Sequence, residues 1–510
     1  MRVILFALCS LGSFFLAAQT TPTTLHLDRP FHVAGEVSWF AAYAPQPAPP
    51  KVRCTIYGPD GKAMDYFFLE TDANGRTNGY YRWPFELTTG YYRLALEALT
   101  ATGAVASLGV FEHPVYADKR VEAGASTGAG NGRLPEANGL TASITNGQLS
   151  LSGLRGEAYS VSVVNADVVG ETTDVFRTAT GSTASWRDTL FFPIAVQDKE
   201  GQAFPTNLLP VFDPTTYTFG YSRADANGRG IVELGPFSGT KTIQPRALDR
   251  VDIVPSLTTT NLPALTRQPP MTDAVAAYID LSRRRRKIYQ LYATVETEVD
   301  GTLLPQERVA VEPNRDFNVQ DYKVFADMYN FFKEVGGELR VRVKKENYRA
   351  QLYNAPNQRF FERGPLYIVD GKLTYDNNYV NKMSPKGVSY LAYYYVKGYL
   401  RRRFSVLAAN GVVQIETLRS PSDFPAADAE DILTIKGLQP ASTFLARDAN
   451  ADEVPALSPL LYWGTGEGTE TATISLPATD DFGSYRVVVF SRAADGSTRA
   501  TTASFEIPAR

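Results

Sequence analysis

The runs Val37–Tyr43 (VSWFAAY), Val52–Tyr57 (VRCTIY), Asp65–Glu70 (DYFFLE) and Tyr91–Ala98 (YYRLALEA) decide the fold class of this chain. Each run is short, rich in aromatic and β-branched residues, and bounded by glycine-containing turns such as Asp-Gly and Asn-Gly. Several such strands within residues 24–112 are typical of a β-sandwich. Similar runs continue through most of the chain. The sequence therefore predicts a mainly β protein of tandem Ig-like β-sandwiches.

Length and composition bound the possible functions. The chain has 510 residues, which at about 100–200 residues per domain predicts three to five domains. Its net charge of -3 argues against broad nucleic-acid binding. Two cysteines argue against a disulfide scaffold, and three histidines argue against a multi-histidine metal site. No Gly-x-Ser-x-Gly, His-Glu-x-x-His or phosphate-loop motif occurs. We therefore expect no enzymatic activity, no metal and no cofactor.

The N-terminus predicts export. Met1 and Arg2 precede an apolar run from Val3 to Ala18, and this pattern is typical of a secretory signal peptide covering residues 1–19. The run is short for a membrane-spanning helix, and no later stretch is apolar enough for one. We expect an exported protein that associates with the outer membrane through a partner, on its periplasmic or cell-surface face. Cys54 would be the cysteine that remains, and its alternating strand context predicts a buried, unreactive side chain.

Composition shifts divide the rest of the chain into modules. Three helices are predicted by spacing, over Asp273–Tyr292, Asp321–Glu334 and Gly387–Tyr394. They separate an α+β module from the β modules around it. The predicted boundaries are a β-sandwich at 20–117, a flexible linker at 118–138, a small β module at 139–185, a second β-sandwich at 186–255, a linker and helix at 256–285, the α+β module at 286–420, a connector at 421–431 and a C-terminal β-sandwich at 432–510.

Two repeated sequence motifs support the presence of several similar sandwich domains. The pentapeptide Asp-Ala-Asn-Gly-Arg occurs at 72–76 and again at 225–229, where Asn-Gly predicts a tight hairpin turn. Gly90–Leu94 (GYYRL) is similar to Gly483–Val487 (GSYRV), and each opens an alternating run. Both motifs indicate that similar modules stand in different parts of the chain.

Three segments of the α+β module resemble the plug domain of TonB-dependent transporters. They are Gly364–Gly371 (GPLYIVDG), Ser384–Val388 (SPKGV) and Ala409–Thr417 (ANGVVQIET), in the order that the plug family shows. In this reading Val-Asp-Gly ends a buried strand in a tight turn. A transporter barrel of this class has about 22 strands of about 9–11 residues each, and the residues after 420 are too few to form one. The resemblance implies a plug-like domain without a barrel.

The β modules resemble a second family. Leu25–Phe40 (LHLDRPFHVAGEVSWF) is similar to the opening of macroglobulin-like domains, and Leu460–Trp463 with Phe482–Val487 is similar to a later domain of that class. Residues 186–255 are interpreted as carboxypeptidase-regulatory-like. Together these resemblances imply an exported Gram-negative envelope protein. The Cys-Gly-Glu-Gln thioester of protease-trapping macroglobulins does not occur, so covalent trapping is not implied.

The strongest candidate site is a basic, tyrosine-rich surface. Tyrosine and arginine are enriched at interface hot spots, although exposed arginines are equally often a solvated face. The resemblance implies a protein partner, either an outer-membrane barrel or a secretion or uptake complex, and leaves the oligomeric state open. The predicted partner-binding residues are Arg283, Arg284, Arg285, Arg286, Tyr394, Tyr399, Arg401, Arg402 and Arg403.

Two other functions stay open. The first is a secreted carbohydrate- or peptide-binding protein, for which Trp39, Trp83, Trp186 and Trp463 are candidate contacts. The second is a hydrolase with an unrecognised carboxylate pair, because sequence cannot pair carboxylates across space. An alternative role for the C-terminal strands is a secretion sorting signal.

Histidine side chains are common metal ligands. His26, Asp28 and His32 share one face if their strand is unbroken, whereas His113 is isolated in sequence. Polar residues at a strand edge are the commoner explanation, so no metal site is assigned.

Overall fold

The structure is a computed structural model that describes residues 22–119, 134–170, 174–248, 250–294, 298–322, 324–419, 431–445, 447–450, 453–493 and 495–509. The side chains of residues 298–302, 397–399 and 441–442 are not described. The predicted signal peptide and most of the predicted 118–138 linker and 421–431 connector lie outside the described residues. No helix in the described ranges is both long enough and apolar enough to cross a bilayer.

Strands dominate the described residues. The first group is β1 (Thr23–Leu27), β2 (His32–Val33), β3 (Val37–Tyr43), β4 (Lys51–Tyr57), β5 (Ala63–Glu70), β6 (Arg76–Arg82), β7 (Gly90–Leu99), β8 (Val105–Tyr116), β9 (Thr141–Thr145), β10 (Gln148–Ser152), β11 (Glu157–Asn165), helix α1 (Ala166–Val169) and β12 (Phe176–Ala179). The second group is β13 (Leu190–Asp198), β14 (Thr206–Asp213), β15 (Thr218–Ala224), β16 (Arg229–Leu234), β17 (Thr240–Pro245), β18 (Ile253–Leu257), helix α2 (Asp273–Leu291) and β19 (Glu298–Thr302).

The remaining elements begin with the α+β module. They are β20 (Arg315–Asn318), helix α3 (Met328–Glu334), β21 (Leu339–Lys344), β22 (Asn347–Asn354), β23 (Arg359–Phe360), β24 (Leu366–Val369), β25 (Lys372–Thr374), helix α4 (Asn377–Lys382), β26 (Val388–Tyr394), helix α5 (Lys397–Arg403), β27 (Val412–Thr417), β28 (Leu433–Lys436), β29 (Ala441–Leu445), β30 (Leu460–Gly468), β31 (Thr471–Ser475), β32 (Gly483–Arg492) and β33 (Thr498–Ile507). Short 3-10 turns cover Val319–Tyr322, Ala355–Asn357, Pro385–Gly387 and Val406–Ala408.

The first sandwich confirms the four runs that decided the fold class, which form β3, β4, β5 and β7. Its two sheets have the strand orders β12-β1-β3-β6 and β2-β8-β7-β4-β5. Alternate side chains of both sheets, among them Phe40, Ile56 and Leu94, enclose one apolar core. Cys54 lies in this core and is fully buried, which confirms its predicted placement.

Two further sandwiches are assembled from segments that are far apart in sequence. In one, sheets β31-β10-β9 and β30-β11-β32-β33 combine the predicted 139–185 module with strands of the predicted C-terminal module. In the other, sheets β16-β13-β18 and β15-β14-β17-β28 include a strand that follows the α+β module. The sequence divided these strands among separate consecutive modules, whereas the structure nests the modules. The predicted and observed arrangements differ because β11 of the predicted 139–185 module pairs with β30 and β32 of the predicted C-terminal module.

The repeated pentapeptides form the same turn twice. Asp72 Oδ1 accepts hydrogen bonds from Asn74 N (3.0 Å) and Arg76 N (2.9 Å), and Asp225 repeats both contacts. In each turn the glycine has a positive φ, but the asparagine does not. Asp72 N donates to Arg76 O (2.9 Å) and Asp225 N donates to Arg229 O (2.8 Å), which confirms two tight turns. Beyond each turn the two flanking strands, β5 and β6 or β15 and β16, belong to different sheets.

Helix α2 confirms the clearest helix prediction. It starts where the Thr272 hydroxyl accepts a hydrogen bond from Val275 N (3.2 Å), and Asp273 occupies its first turn. Val275, Tyr278 and Ile279 are buried in a core that the first sandwich shares with strands β11, β30 and β32. This shared core joins two sandwiches and the helix into one packed body.

The α+β module differs from its predicted helices. The first part of the predicted 321–334 helix is a 3-10 turn, and α3 starts only at Met328, after the capping residue Asp327. The predicted helix at 387–394 is strand β26, because its apolar and aromatic residues pair with β27 in the sheet β20-β26-β27-β24-β25. As predicted, β24 ends at an Asp370–Gly371 turn, where the Asp370 carboxylate accepts from Thr417 N (2.8 Å) and Oγ1 (2.6 Å).

Candidate functional site

The predicted arginines of α2 mostly bind neighbouring segments of the same chain. Arg286 forms an ion pair with Asp118 and lies over the ring of Phe85. Arg285 is buried and pairs with Asp481 at 3.0 Å, so its predicted exposed position is corrected. Arg283 is partly exposed near Asp118, and Arg284 is exposed. This helix face therefore holds two sandwiches together, which its arginine content alone did not reveal.

The second predicted group lies on the α+β module. Tyr394 is 2% exposed and its hydroxyl hydrogen-bonds to Gln414 Oε1 at 3.0 Å, so its predicted surface position is also corrected. Its place on β26 points it into the module core, where it packs against Phe404. Tyr399 belongs to α5, and its side chain is not among those that the structure describes. Arg401, Arg402 and Arg403 are exposed on the last turn of α5, where cations interact favourably with the helix dipole.

Arg401 lines a groove of about 560 Å³ between α5 and the β22–β23 connection, which we call the basic groove. Arg359 and Phe360 lie on the opposite wall, and the Arg340 guanidinium lies 3.9 Å from the Phe360 ring centroid. Asn354 is 2% exposed, and neither its amide oxygen nor its amide nitrogen has a hydrogen-bond partner among the described residues. A buried amide without partners is costly, and Asn354 places such an amide in the lining of the groove.

A second concave site, which we call the aromatic cleft, lies where the three sandwiches meet. Its volume is about 420 Å³, within the usual range of small-molecule sites. Strands β3, β6, β29 and β30 supply its aromatic residues, which are Trp39, Tyr80, Phe444, Tyr462 and Trp463. The sequence singled out two of these five, and nothing local in it marks the other three.

The four tryptophans lie in different parts of the structure. Trp39 and Trp463, 424 positions apart in the numbering, line the same cleft. Trp83 is in the core of the first sandwich, and its indole N–H donates to Ser38 Oγ at 2.6 Å. Trp186 donates its indole N–H to Pro47 O at 2.7 Å, away from the cleft. Of the predicted carbohydrate contacts, Trp39 and Trp463 are therefore the pair that the structure brings together.

The three histidines are fully buried. His113 is isolated in sequence but not in space, since His32 Nδ1 and His113 Nε2 are 2.7 Å apart. The strand breaks between β1 and β2, and His26 instead contacts Ser160 Oγ at 2.7 Å in another sandwich. Burial lowers the pKa of His26 to about 3 and lowers the pKa of His113 well below its usual value. No metal-binding cluster of histidine, cysteine or carboxylate residues occurs within the described part of the chain.

A buried polar network surrounds His32 and anchors α2. Asp28 Oδ1 lies 3.2 Å from His32 Nε2, and its second oxygen accepts from Arg29 Nε at 3.0 Å. Arg29 Nη1 also donates to the Tyr278 hydroxyl (2.6 Å), and Tyr278 donates to Glu36 Oε1 (3.0 Å). These groups are at most 8% exposed. Their contacts are internal to the protein, so the network has a structural role.

Comparisons with known proteins identify no family. No protein-family model and no curated protein matches the chain. Solved structures with some similarity include a trypsin-activated α2-macroglobulin from Escherichia coli, at 10% identity and a TM-score of 0.23, covering 95% of this chain and 41% of that one. They also include a tetra-tandem repeat of the extending region of a large adhesion protein, at 10% identity and a TM-score of 0.16, covering 96% and 99%.

A marsupial T cell receptor is also similar, at 11% identity and a TM-score of 0.14, covering 46% of this chain and 62% of that one. This chain therefore spans about two fifths of the length of the α2-macroglobulin. The strand content and the paired sheets of the structure confirm the mainly β class of tandem sandwiches expected from the sequence. TM-scores this low carry no argument about function, and the mainly β architecture rests on the strand pairing itself.

Proposed function

We propose that this chain is a non-enzymatic, exported envelope protein that docks, as an accessory or interaction component, to an outer-membrane barrel or to a secretion or uptake complex. The basic groove is the single observation that carries the proposal. The plug-like identity of residues 286–420 and the carboxypeptidase-regulatory-like identity of residues 186–255 belong to the same proposal. The nested sandwiches would hold the α+β module at a defined position relative to the envelope.

The chemistry of the groove favours an acidic partner segment. Arg359 and Arg401 line it, and Arg402 and Arg403 follow on α5. Glu362 is the acidic residue of the described lining, so the arginines outnumber the carboxylates there. Arginine forms paired hydrogen bonds with carboxylates and is enriched at interface hot spots. Complementary charge also accelerates the encounter of two proteins. The unpartnered amide of Asn354 would hydrogen-bond to the backbone of a bound segment.

The proposal is tested by replacing Arg401, Arg402 and Arg403 with serine in the tagged full chain. We expect the amount of co-purified outer-membrane protein, measured by quantitative mass spectrometry of gently solubilised envelopes, to fall at least tenfold. The matched control is Arg342→Ser with Arg349→Ser, which removes two exposed arginines from the same module outside the groove. The control is expected to retain the partner.

Equal recovery of the same envelope protein by the triple variant and by the wild-type chain would contradict the proposal. Point substitutions are preferable to deleting residues 286–420. Such a deletion would cut through α2, whose residues Tyr278 and Tyr289 are buried against the sandwiches.

The aromatic cleft favours a second candidate, a carbohydrate- or peptide-binding protein. A hydrolase is less well supported by the same cleft. A glycosidase requires two carboxyl groups across the scissile bond, and among the described residues that line the cleft Glu70 alone has a carboxylate.

A further inference from the structure

We infer that the aromatic cleft is a binding site for a short, uncharged saccharide. This inference deepens the second candidate function given above. The cleft is formed by the sandwiches and not by the α+β module, so the inference is independent of the docking proposal.

The aromatic rings of the cleft are held in place by one another. The ring centroids of Trp39 and Tyr80 are 5.3 Å apart, and Trp39 meets Phe444 edge-on at 5.7 Å. Trp39 is 3% exposed and Trp463 is 5% exposed, so their rotamers are fixed by packing before any ligand arrives. A binding surface ordered in advance loses little entropy on association. Tyr80 and Tyr462 are the partly exposed aromatic residues of the cleft, and their electron-rich ring faces suit the partly positive C–H faces of a sugar ring.

Strand β30 carries a glycine that lets one ring lie against the strand. A Cβ placed on Gly464 would be 2.1 Å from the Tyr462 hydroxyl oxygen, so the tyrosine ring lies across the glycine. Residues i and i+2 of a strand share a face, which brings these two residues together. Any larger side chain at 464 would displace the Tyr462 ring.

The polar groups of the lining suit hydroxyl groups better than ions. Asn78 is exposed at the cleft, and Thr443 and Thr465 contribute hydroxyls. Glu70 is the charged residue of the described lining, and Lys51 already pairs with it at 2.5 Å. The cleft therefore provides donors and acceptors with little net charge, which matches a neutral polyhydroxylated ligand.

The strand edges at the cleft are already capped, which favours a saccharide over an extended peptide. Both β6 and β30 are edge strands of their sheets. The Gln439 amide accepts from Tyr80 N (3.0 Å) and donates to Tyr80 O (2.7 Å), while Arg76 donates to Gly466 O (2.5 Å). A peptide that adds to a sheet edge needs these backbone groups free.

The test uses the purified full chain and three neutral disaccharides: maltose, cellobiose and N,N′-diacetylchitobiose. Because Trp39 and Trp463 line the cleft, we expect at least one disaccharide to produce a saturable change in tryptophan fluorescence, confirmed by isothermal titration calorimetry. The variants Asn78→Ala and Gly464→Ala are each expected to raise the Kd at least tenfold. Asn78 is exposed, so its variant keeps the test valid even if Gly464→Ala disturbs folding.

Two matched controls separate the cleft from the rest of the surface. Tyr221→Ala removes a tyrosine that is 46% exposed outside the cleft, and Gly235→Ala adds a methyl group that would meet no atom within 4 Å. Both are expected to bind with unchanged Kd. The inference is overturned if none of the three disaccharides binds saturably, or if Asn78→Ala and Gly464→Ala bind as the wild-type chain does. Binding of the neutral peptide acetyl-(Val-Thr)4-amide in place of every disaccharide would also overturn it.

Discussion

Replacing Arg29 with methionine is expected to lower the free energy of unfolding by about 3–5 kcal/mol, because it leaves buried carboxylates without their cationic partner. Arg29 is 5% exposed and bonds to Asp28 Oδ2, to the Tyr278 hydroxyl and to Val37 O. Its Nη1 also lies 3.6 Å from Glu36 Oε2. Urea unfolding followed by tryptophan fluorescence and circular dichroism would measure the change, as a shift of midpoint at constant m-value.

Two comparisons make this prediction specific. Arg284→Met removes an exposed arginine from α2 and is expected to change stability by no more than about 0.5 kcal/mol. Combining Arg29→Met with Glu36→Gln is expected to cost less than the sum of the single changes, because the second change removes one of the unpaired charges. A loss of less than about 1 kcal/mol for Arg29→Met would show that the network contributes little.

Acidification is expected to destabilise the fold steeply between about pH 6.5 and pH 4. All three histidines of the chain are buried with lowered pKa values, and burial is the main cause in each case. The unfolded chain therefore binds more protons than the native chain below pH 6.5. Stability is fully present above the unfolded pKa of about 6.5 and is lost as pH falls towards the native pKa. His26, whose pKa is lowered to about 3, contributes a slope of about 1.4 kcal/mol per pH unit in that window, and His32 and His113 contribute in the same direction.

The surroundings of the histidines support this sign. His32 faces Asp28, whose charge opposes the effect of burial, and it faces Arg29, whose charge adds to it. His113 faces His32, Arg177 and Arg29, all of which disfavour its protonation. The carboxylates Asp28 and Glu36 also have lowered pKa values, because nearby Arg29 and His32 outweigh their burial. Their contribution is lost only below about pH 4, so the two windows are separable.

His26→Gln provides the test of the acid prediction. Urea unfolding at pH 7, 6, 5 and 4 should give a dependence on pH that is shallower by about 1.4 kcal/mol per unit than that of the wild-type chain. The pKa of His26 is lowered to about 3, so the difference should persist across the whole window. Equal slopes for the two proteins would show that His26 is protonated in the native state.

Local sequence signals predicted the clearest strands and one of the three expected helices correctly. Alternation placed β3 at Val37–Tyr43, and helical spacing placed α2 at Asp273–Leu291. The Asp370–Gly371 turn followed from residues that tolerate positive φ. The failure at Val388–Tyr394 has a clear cause, since a short apolar run is ambiguous between helix and strand until its pairing partner is known.

The candidate sites were predictable only in part. Arg284 and Arg285 are neighbours in sequence, yet one is exposed and the other is buried against Asp481, because successive helix residues point about 100° apart. Trp39 and Trp83 look alike in sequence, but one lines the aromatic cleft and the other fills a core. No local sequence pattern distinguishes Asn354 from other asparagines. That its amide is buried without a hydrogen-bond partner depends on the tertiary contacts around it.

The sequence by itself determined the mainly β class, the strands of its clearest alternating runs, the position of α2 and the Asp370–Gly371 turn, because these depend on backbone preferences and burial patterns within a few residues. Only the tertiary structure decided that β11 pairs with β30 and β32, that His32 meets His113, and that Trp39 and Trp463 line one cleft. The physical reason is that alternation specifies which face of a strand is buried but not which strand lies beside it. That choice depends on the packing free energy of segments hundreds of residues apart.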